Sequence, residues 1–570
     1  MTMPDLRTRT ARVKKAIEEG AYVRAKDEAF VTLQGELRHT GWLFDMRRVV
    51  LHADMLDDIS ALFWNLFGEN KNIQIGTIET AGIPLLIGFL AHSKMYTGAD
   101  VSGFYIRKSR KKNGLMKLVE GEVQKGKDIV LVDDLMNSGK SFMRQVETVE
   151  SLGGHVKAIW MLIRFRDPEY YEYFNKKGIA VHSLFELNDF TDTLGTANLL
   201  PEEPPHRPAQ HFDVVWKFEV ANPSYHHVVP KSDPVLDNER VYIGSDQGEF
   251  LALNQIDGSI AWSHTISLHR KGKGIFSSPA LCEGTVYFGG YDGNVYALDS
   301  KTGKRKWLSS EGDWVGSSPS LAPDLGMLFV GLEFGLWRKR GGIVALDMKT
   351  GRKIWGYYEM PCFTHSSPLY IKKHGQVVIG SNDGTVYLFD AKAGTLLWKF
   401  ATGVLSDSEL DSGFSRFDIK ESFAYDAKRD LIVFGNYDGK VFFVDRKTGL
   451  ERGHFTAGFG FYSTPVIYEN TVIVTSLDKH VYCVDLDTFR EKWRWYAGAR
   501  IFATPVIIEG SLYVGANTGV LAELDPETGS ERSSFLVTER ITNKVVYNPK
   551  TQRFFLPTFA NELYCLKRKV

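Results

Sequence analysis

Residues 289–307 read GGYDGNVYALDSKTGKRKW, and close variants of this stretch recur along the chain: GSDQGEFLALNQIDGSIAW at 244–262, GSNDGTVYLFDAKAGTLLW at 380–398 and GNYDGKVFFVDRKTGLERG at 435–453. Each variant begins at the Gly that ends an apolar strand and continues with an Asp-Gly-type turn, an alternating strand and a second turn of Lys-Thr-Gly type. Two short hairpin turns in each unit predict a four-stranded antiparallel meander, which is the blade of a β-propeller.

The spacing of the units supports the same fold. Aromatic residues mark their ends: Trp262, Trp307, Trp355, Trp398, Phe455, Trp493 and Phe535. This is a period of roughly 40–50 residues, within the range of propeller repeats, and the period-2 patterning excludes a helical solenoid. Ser-Pro or Thr-Pro pairs recur at one position of successive units: Ser278-Pro279, Ser318-Pro319, Ser367-Pro368, Thr464-Pro465 and Thr504-Pro505.

The two ends of the repeat region complement each other. The C-terminal unit, FFLPTFANELYCLKRKV at 554–570, stops before its last strand, whereas DVVWKFEV at 213–220 resembles an isolated last strand. Together they predict one shared blade that closes the ring and covers the exposed sheet edges. The count is then about eight blades, with seven as the alternative.

The chain ahead of the repeats has a different pattern. Up to about residue 195, helical patterns alternate with short apolar runs such as IQIGTI at 73–78 and KDIVLV at 127–132, which predicts a parallel sheet flanked by helices. The segment LLPEEPPHRPAQH at 199–211 is rich in proline and polar residues and reads as a linker. We therefore predict an α/β domain at 1–198, a linker at 199–211 and an all-β propeller at 212–570.

Composition excludes several classes of protein. Lys plus Arg (69) equals Asp plus Glu (69), so no general nucleic-acid or membrane-surface binding is predicted. No signal-peptide-like stretch or long apolar run occurs. The four cysteines lack the spacing of a disulfide framework or a zinc site. These features predict a cytoplasmic protein.

The most specific local motif is VLVDDLMNSGKS at 130–141. It places two carboxylates at the carboxyl end of a buried strand and directs the N–H groups of a turn and a helix N-terminus to one point, which is the geometry of a phosphate site. A P-loop would need Gly five positions before Gly139, and Asp134 stands there, so that interpretation fails.

Both halves resemble known families. The repeats resemble those of quinoprotein dehydrogenases and of the related outer-membrane assembly lipoproteins. The motif at 130–141 resembles the PRPP-binding signature of the orotate-type phosphoribosyltransferases. Similar segments extend this second resemblance: VTLQGELRHTGWLFDMRRV at 31–49, IETAGIPL at 78–85, FYIRKSRKKNGLMKLVEGEV at 104–123 and GIAVHSLFELNDF at 178–190.

The transferase resemblance implies a set of roles. Asp133 and Asp134 would contact the ribose hydroxyls of PRPP, and Arg107, Lys108 and Lys111 would neutralise the leaving pyrophosphate on a mobile loop. The 5′-phosphate would be held by Asn137, Ser138, Gly139, Lys140 and Ser141. The pyrophosphate loop would be Glu79, Thr80, Ala81 and Gly82. Mg²⁺ would arrive bound to PRPP rather than in a cage of protein ligands, and the family implies a homodimer through this domain.

The sequence also departs from that family. Asn113 stands where the orotate enzymes have a catalytic-loop His, Gln34 is the nearest candidate for the lysine of the N-terminal hood, and Lys140 is unusual in the phosphate loop. Asn cannot transfer a proton near neutral pH. The acceptor of the phosphoribosyl group is therefore left open.

Three functions remain in competition. The first is a PRPP-dependent phosphoribosyltransferase whose propeller recruits or senses a partner. The second is a regulator that senses PRPP or a nucleotide without turnover, and the third is an interaction scaffold in a stress or defence system. No pyrroloquinoline quinone is expected in the propeller, because adjacent cysteines and an exported topology are not evident in the sequence.

Overall fold

The computed structural model describes residues 5–24, 42–107, 119–137, 139–190, 212–220, 232–267, 274–335, 339–537 and 539–569. The chain forms two compact units that divide near residue 208, and each is described by itself. The predicted linker at 199–211 lies outside the described residues, so the predicted domain limits stay predictions.

The N-terminal unit is built on a six-stranded sheet. A separate two-stranded ribbon pairs β1 (Tyr22–Arg24) with β2 (Trp42–Phe44). The sheet has the order β5-β4-β3-β6-β7-β8 and is parallel except for β5. Its strands are β3 (Ile73–Ile78), β4 (Gly103–Ile106), β5 (Val119–Glu120), β6 (Asp128–Met136), β7 (His155–Arg164) and β8 (Ala180–Glu186).

Helices cover both faces of this sheet. They are α1 (Leu6–Ala16), α2 (Arg47–Val50), α3 (Ala53–Phe67), α4 (Gly82–Thr97), α5 (Lys140–Ser151) and α6 (Glu172–Lys176), with a π-helical turn at Ile17–Ala21 and 3₁₀ turns at Pro168–Tyr171 and Leu187–Phe190. Val130 and Val132 of β6 belong to the core shared with α3 and α4, whereas Ile129 and Leu131 belong to the core shared with α5. Successive strand residues face opposite sides, so the buried run of β6 is sandwiched between two helical layers.

The C-terminal unit is a β-propeller. Within the described residues it contains eight four-stranded antiparallel sheets, which confirms the predicted blade count. The first four blades are Val235–Leu236, Arg240–Gly244, Glu249–Asn254, Ile260–Thr265; Ala280–Cys282, Thr285–Gly289, Asn294–Asp299, Arg305–Ser310; Ser320–Ala322, Met327–Phe334, Arg340–Asp347, Lys353–Met360; and Leu369–Ile371, Gln376–Gly380, Thr385–Asp390, Leu396–Ala401. The next three are Ala424–Asp426, Leu431–Gly435, Lys440–Asp445, Glu451–Thr456; Val466–Tyr468, Thr471–Thr475, His480–Asp485, Glu491–Tyr496; and Val506–Ile508, Ser511–Gly515, Val520–Leu524, Glu531–Leu536.

The eighth blade joins the two ends of the unit. Its strands are Val546–Asn548, Arg553–Pro557, Leu563–Arg568 and Phe212–Phe218. Cys565 pairs with Trp216 across the last two strands. The predicted shared blade is therefore confirmed. Two short helices also lie in this unit, a 3₁₀ turn at Lys372–His374 and α7 at Asp407–Ser412.

Tryptophans tie six of the described blades to the next one. The Trp262 indole donates to the carbonyl of Ser300 at 2.9 Å, and the Trp307 indole donates to that of Met348 at 2.9 Å. Each ring covers the glycine of the second turn in the following blade. A Cβ on Gly303 would stand 2.6 Å from the Trp262 ring, and its φ of +70° also favours glycine. This packing explains why the repeat combines a Lys-Thr-Gly turn with a Trp.

None of the helices in the described ranges combines the length and apolar composition that crossing a membrane requires.

Candidate functional site

The crevice is the region beyond Thr77 and Val132, where the pairing of β3 and β6 ends. These strands are neighbours, but α4 leads from β3 to β4 on one side and α5 leads from β6 to β7 on the other. Their pairing ends at Thr77 and Val132, where the Thr77 hydroxyl donates to the Val132 carbonyl at 2.6 Å. Beyond that point β6 continues against β7 alone. Such a switch point at the carboxyl ends of parallel strands is where open α/β sheets bind ligands.

The two predicted acids lie at this crevice. Asp133 is 8% exposed and Asp134 is half-buried. The Asp134 amide donates to Asp133 Oδ1 at 3.0 Å, and the Leu135 amide donates to Asp134 Oδ1 at 2.9 Å. Burial raises the pKa of Asp134, and its hydrogen bonds oppose that rise. The backbone therefore holds both carboxyl groups in place at the end of β6.

The predicted pyrophosphate loop lies beside the acids. It follows β3, where the Glu79 amide donates to the Ile106 carbonyl at 2.9 Å, and it contains a cis peptide between Glu79 and Thr80. A Cβ on Gly82 would stand 2.0 Å from Thr77 Oγ1 and 3.3 Å from Asp133 Oδ1. Only a residue without a side chain lets the first turn of α4 approach the acids this closely.

The loop after β6 is stabilised by residues that are distant in the sequence. Asn137 Oδ1 accepts a hydrogen bond from Arg166 Nε at 3.1 Å, and the Asn137 carbonyl accepts one from the Tyr171 hydroxyl at 2.8 Å. Gly139, with φ of +76°, precedes α5. The first backbone N–H groups of α5 have no acceptor within the helix, so this loop can present donors to an anion. Ser141 is exposed, whereas Ser138 and the side chain of Lys140 lie outside the described residues.

Cationic groups approach the same edge. Arg107 follows β4, and its Nη1 atom lies 3.8 Å from Glu120 Oε1. Lys108, Lys111 and Asn113 lie outside the described residues, as does Gln34. Arg47 of α2 acts electrostatically on Asp134, where it opposes the rise of that carboxyl's pKa. No sequence motif marks Arg47, Arg166 or Tyr171 as site residues.

A second concentration of polar groups lies in the propeller. A cavity of about 400 Å³ is lined by residues that the sequence analysis did not select, among them His365, Asp418, Lys420 and Glu421. Its walls draw on all eight blades or their connections, so it is part of the central channel. The one available sequence signal was a break in the repeat after residue 401, where the connection to the next blade is unusually long.

Comparison with known proteins separates the two units. Over 153 residues, 27% of this chain and 80% of the relative, the chain is 26% identical to an orotate phosphoribosyltransferase of Methanothermobacter thermautotrophicus. It is 25% identical over 157 residues to the orotate phosphoribosyltransferase of a Bradyrhizobium species, which it covers to 84%. The predicted resemblance of the N-terminal region is thus confirmed.

Solved structures match the propeller fold. BamB of Moraxella catarrhalis superposes with a TM-score of 0.51 at 18% identity, over 62% of this chain and 99% of that one. A europium-containing methanol dehydrogenase superposes with a TM-score of 0.52 at 13% identity, over 62% and 93%. The family model described as outer membrane protein assembly factor BamB matches residues 213–359 and 374–557, more than half of the chain. The protein therefore belongs to this BamB-type family of repeat propellers, and it carries ahead of its propeller a region similar to orotate phosphoribosyltransferases.

Proposed function

We propose that this protein transfers phosphoribose between PRPP and a base or acid acceptor, with release of pyrophosphate, and that its propeller recognises or senses a partner. The observation that carries the proposal is the crevice between β3 and β6. Two backbone-anchored carboxyl groups lie there between a glycine-containing loop and the N-terminus of α5.

Each group has a chemical task in this proposal. Asp133 and Asp134 accept hydrogen bonds from the ribose diol and oppose positive charge at the anomeric carbon in the transition state. The 5′-phosphate lies against the loop from Asn137 to Ser141, where amide and hydroxyl donors suit a phosphate dianion. The pyrophosphate lies against the loop from Glu79 to Gly82, and Arg107, Lys108 and Lys111 neutralise its charge.

Mg²⁺ fits this site as an ion that enters with PRPP. Among the described residues, no group of three or more His, Cys, Asp or Glu side chains could hold a metal. Mg²⁺ is commonly bound by substrate phosphates, waters and one or two carboxylates, and the acids of β6 supply such oxygens. The bound ion would screen the negative charge of the leaving pyrophosphate.

Two further features belong to the proposal. Because Asn113 cannot serve as an acid or base, the acceptor attacks with a lone pair that needs no proton removal by this loop. The protein acts in the cytoplasm as a homodimer through the N-terminal domain, in which the loop of one subunit serves the other. A dimer measured by light scattering would support this arrangement, and a monomer that turns over at full rate would contradict it.

The decisive experiment measures PRPP-dependent pyrophosphate release with Mg²⁺ while the acceptor is varied among orotate, uracil, purine bases and nicotinate-like acids. We expect release that requires one acceptor and vanishes in the Asp133→Asn/Asp134→Asn variant. Release that persists in this variant would contradict the proposed site.

A PRPP sensor without turnover is the second candidate, and Asn113 is the observation that favours it. Retention of Arg107, Lys108 and Lys111 disfavours it, because a sensor has no leaving group to neutralise. Lys108→Ala/Lys111→Ala separates the two, since it should abolish turnover in a transferase and spare PRPP binding in both. Binding of PRPP without release in the unaltered protein would establish the sensor.

The propeller channel does not fit pyrroloquinoline quinone. That cofactor carries three carboxylates, whereas the cavity presents the carboxyl groups of Asp233 and Asp418. The lining ammonium group, Lys420, is already paired with Asp418 at 2.6 Å. Like charges in one low-dielectric site repel, so we assign no quinone chemistry to this propeller.

A further inference from the structure

A ring of hydrogen bonds surrounds the propeller channel. At the position of the Ser-Pro pairs, the amide of Asp233 donates to the Ser278 hydroxyl at 2.9 Å, and the amides of Ser278 and Ser318 donate to the hydroxyls that follow at 2.9 and 3.0 Å. The Lys544 amide of the eighth blade donates to Asp233 Oδ1 at 3.1 Å. These bonds from backbone amides to side-chain oxygens link neighbouring blades beside the channel.

One connection breaks the symmetry of this ring. Residues 402–423 join the fourth and fifth blades and form the longest connection between the described blades. This connection, the insertion, contains hydrogen bonds of its own. Its helix α7 begins with a capping box formed by Ser406 and Glu409. Asp418 Oδ1 accepts from the Ser415 amide at 2.7 Å. This connection places Asp418, Lys420 and Glu421 in the channel.

The charges that the insertion brings are largely neutralised in place. Lys420 is 8% exposed, and its Nζ lies 2.6 Å from Asp418 Oδ2 and 3.2 Å from His365 Nδ1. Asn382 Nδ2 also lies 2.9 Å from His365 Nδ1. Because two donors address that nitrogen, it acts as an acceptor, and the proton of a neutral imidazole lies on Nε2, 3.1 Å from Glu333 Oε2.

Burial disfavours the charged form of both Lys420 and Asp418. It lowers the pKa of Lys420 and raises the pKa of Asp418. The pair therefore offers no excess positive charge to an anionic ligand. A ligand without net charge avoids the cost of losing its hydration in this site.

Glu421 is the group of the insertion that is open to a ligand. Its backbone carbonyl accepts from the Ser366 hydroxyl at 2.6 Å, but among the described residues its carboxyl group makes no hydrogen bond. Burial raises the pKa of Glu421 to about 8; Asp233 adds to the rise and Lys544 opposes it. Near neutral pH the group is therefore mostly protonated and offers one O–H donor beside one acceptor.

Aromatic side chains form the walls around this carboxyl group. Ring centroids lie 5.5 Å apart for Tyr462 and Phe502, and 5.6 Å apart for Tyr437 and Tyr462. Phe276, Tyr291 and Phe414 also line the cavity, and Lys420 Nζ lies 4.6 Å from the Phe414 centroid. Aromatic faces of this kind stack on planar rings, and a cavity of about 400 Å³ has room for one nucleoside-sized molecule.

We propose that the propeller channel binds an uncharged planar nitrogen heterocycle of nucleobase or nucleoside size, which pairs an adjacent donor and acceptor with the carboxyl group of Glu421 and stacks on the aromatic wall. The site is separate from the crevice of the N-terminal unit and does not depend on turnover there.

Calorimetric titration of the full chain tests this site with adenosine, cytidine, uridine and hypoxanthine as probes, and with orotate and benzoate as anionic counterparts. The background is the Asp133→Asn/Asp134→Asn variant, so that binding in the transferase crevice is not mistaken for binding in the channel. We expect one molecule of an uncharged probe to bind per chain in this background, and the anions to bind more weakly.

Variants of Glu421 identify the contact. Glu421→Leu should weaken binding about tenfold, because it removes both hydrogen bonds, whereas Glu421→Gln keeps a donor beside an acceptor and should bind nearly as well. Glu527→Leu, at an exposed turn of the propeller, is the matched control and should bind normally. Circular dichroism confirms that each variant is folded.

Several results would overturn the proposal. They are the failure of every uncharged probe to bind, tighter binding of an anion, binding that disappears in the Asp133→Asn/Asp134→Asn background, and equal losses in Glu421→Gln and Glu421→Leu. Blocking the donor of the probe that binds, as in N6,N6-dimethyladenosine for adenosine, should reduce affinity to the level of Glu421→Leu. Unchanged affinity for the blocked probe would also contradict the assignment.

Discussion

Gly82 and Asp133 meet across the crevice so closely that a Cβ on Gly82 would stand 3.3 Å from Asp133 Oδ1. The same added atom would lie 2.0 Å from the buried Thr77 hydroxyl. We therefore expect Gly82→Ala to push α4 away from the acids, to lower the free energy of unfolding by about 1–3 kcal/mol and to abolish PRPP binding. Gly20→Ala is the control, since nothing lies within 4 Å of its added Cβ. Normal PRPP affinity in Gly82→Ala would show that PRPP binding does not require this close approach.

Tyr171 tests whether the phosphate loop must be held from outside. Its hydroxyl lies 3.1 and 2.8 Å from the carbonyl oxygens of Met136 and Asn137, which share its single proton. Tyr171→Phe removes both bonds, and we expect KM for PRPP to rise about tenfold with little change in kcat, because the loop loses its ordered geometry. Tyr173→Phe is the control, since that hydroxyl bonds Glu147 away from the loop. Equal effects of the two variants would indicate a general loss of stability.

Glu421 makes stability depend on pH. Its pKa in the folded chain is about 8, above its ordinary value of 4.5, while Tyr462, Asp233 and Lys544 are the titratable neighbours. The folded state therefore retains a proton that the unfolded state has lost. The stabilisation is complete below pH 4.5 and disappears as the pH rises through 8.

The Glu421→Gln variant checks this dependence. It has no such titration, so its stability relative to the unaltered protein should improve by about 2 kcal/mol between pH 5 and 8.5. This is less than the full shift implies, because the Glu421 side chain is only partly buried. Urea unfolding at both pH values measures the difference. Parallel stability profiles of the two proteins would show that Glu421 ionises normally.

Trp216 tests the closure of the ring. Its indole donates to the carbonyl of Gln255 at 3.0 Å and covers Gly258, whose added Cβ would stand 2.6 Å from the ring. Trp216→Ala should lower the free energy of unfolding by about 2–4 kcal/mol, because it removes packing between the eighth blade and the first. Val215→Ala alters the exposed neighbour on the same strand and should change it by less than about 1 kcal/mol. Chemical denaturation compares the two.

Local chemistry explains which features the sequence could predict. In a repeat turn, Asp299 accepts from the amide and hydroxyl of Thr302 at 2.9 Å each, and Gly303 follows with positive φ. All of these groups lie within five residues, so the turn can be predicted from a short sequence motif. The acids of β6 and the glycine before α5 could be predicted for the same reason, because they lie in one short motif.

Groups that arrive from distant parts of the chain were not predictable in this way. Arg47 of α2 acts electrostatically on Asp134 of β6. Arg166 donates a hydrogen bond to Asn137, which lies 29 positions earlier in the sequence. In the sequence, nothing distinguishes Glu421 from a glutamate on the surface, because its environment is formed only in the folded propeller. Its environment depends on tertiary burial, which the neighbouring sequence does not reveal.

The shared eighth blade also has a consequence for protein synthesis. The strand Phe212–Phe218 is made before every other strand of the propeller, yet its partner Leu563–Arg568 is made after all of them. The ring therefore cannot close on a chain that lacks Leu563–Arg568, and truncation before this strand leaves an open sheet edge for chaperones and proteases to recognise. Closure of the eighth blade is thus possible only after the strands of the other seven blades have been synthesised.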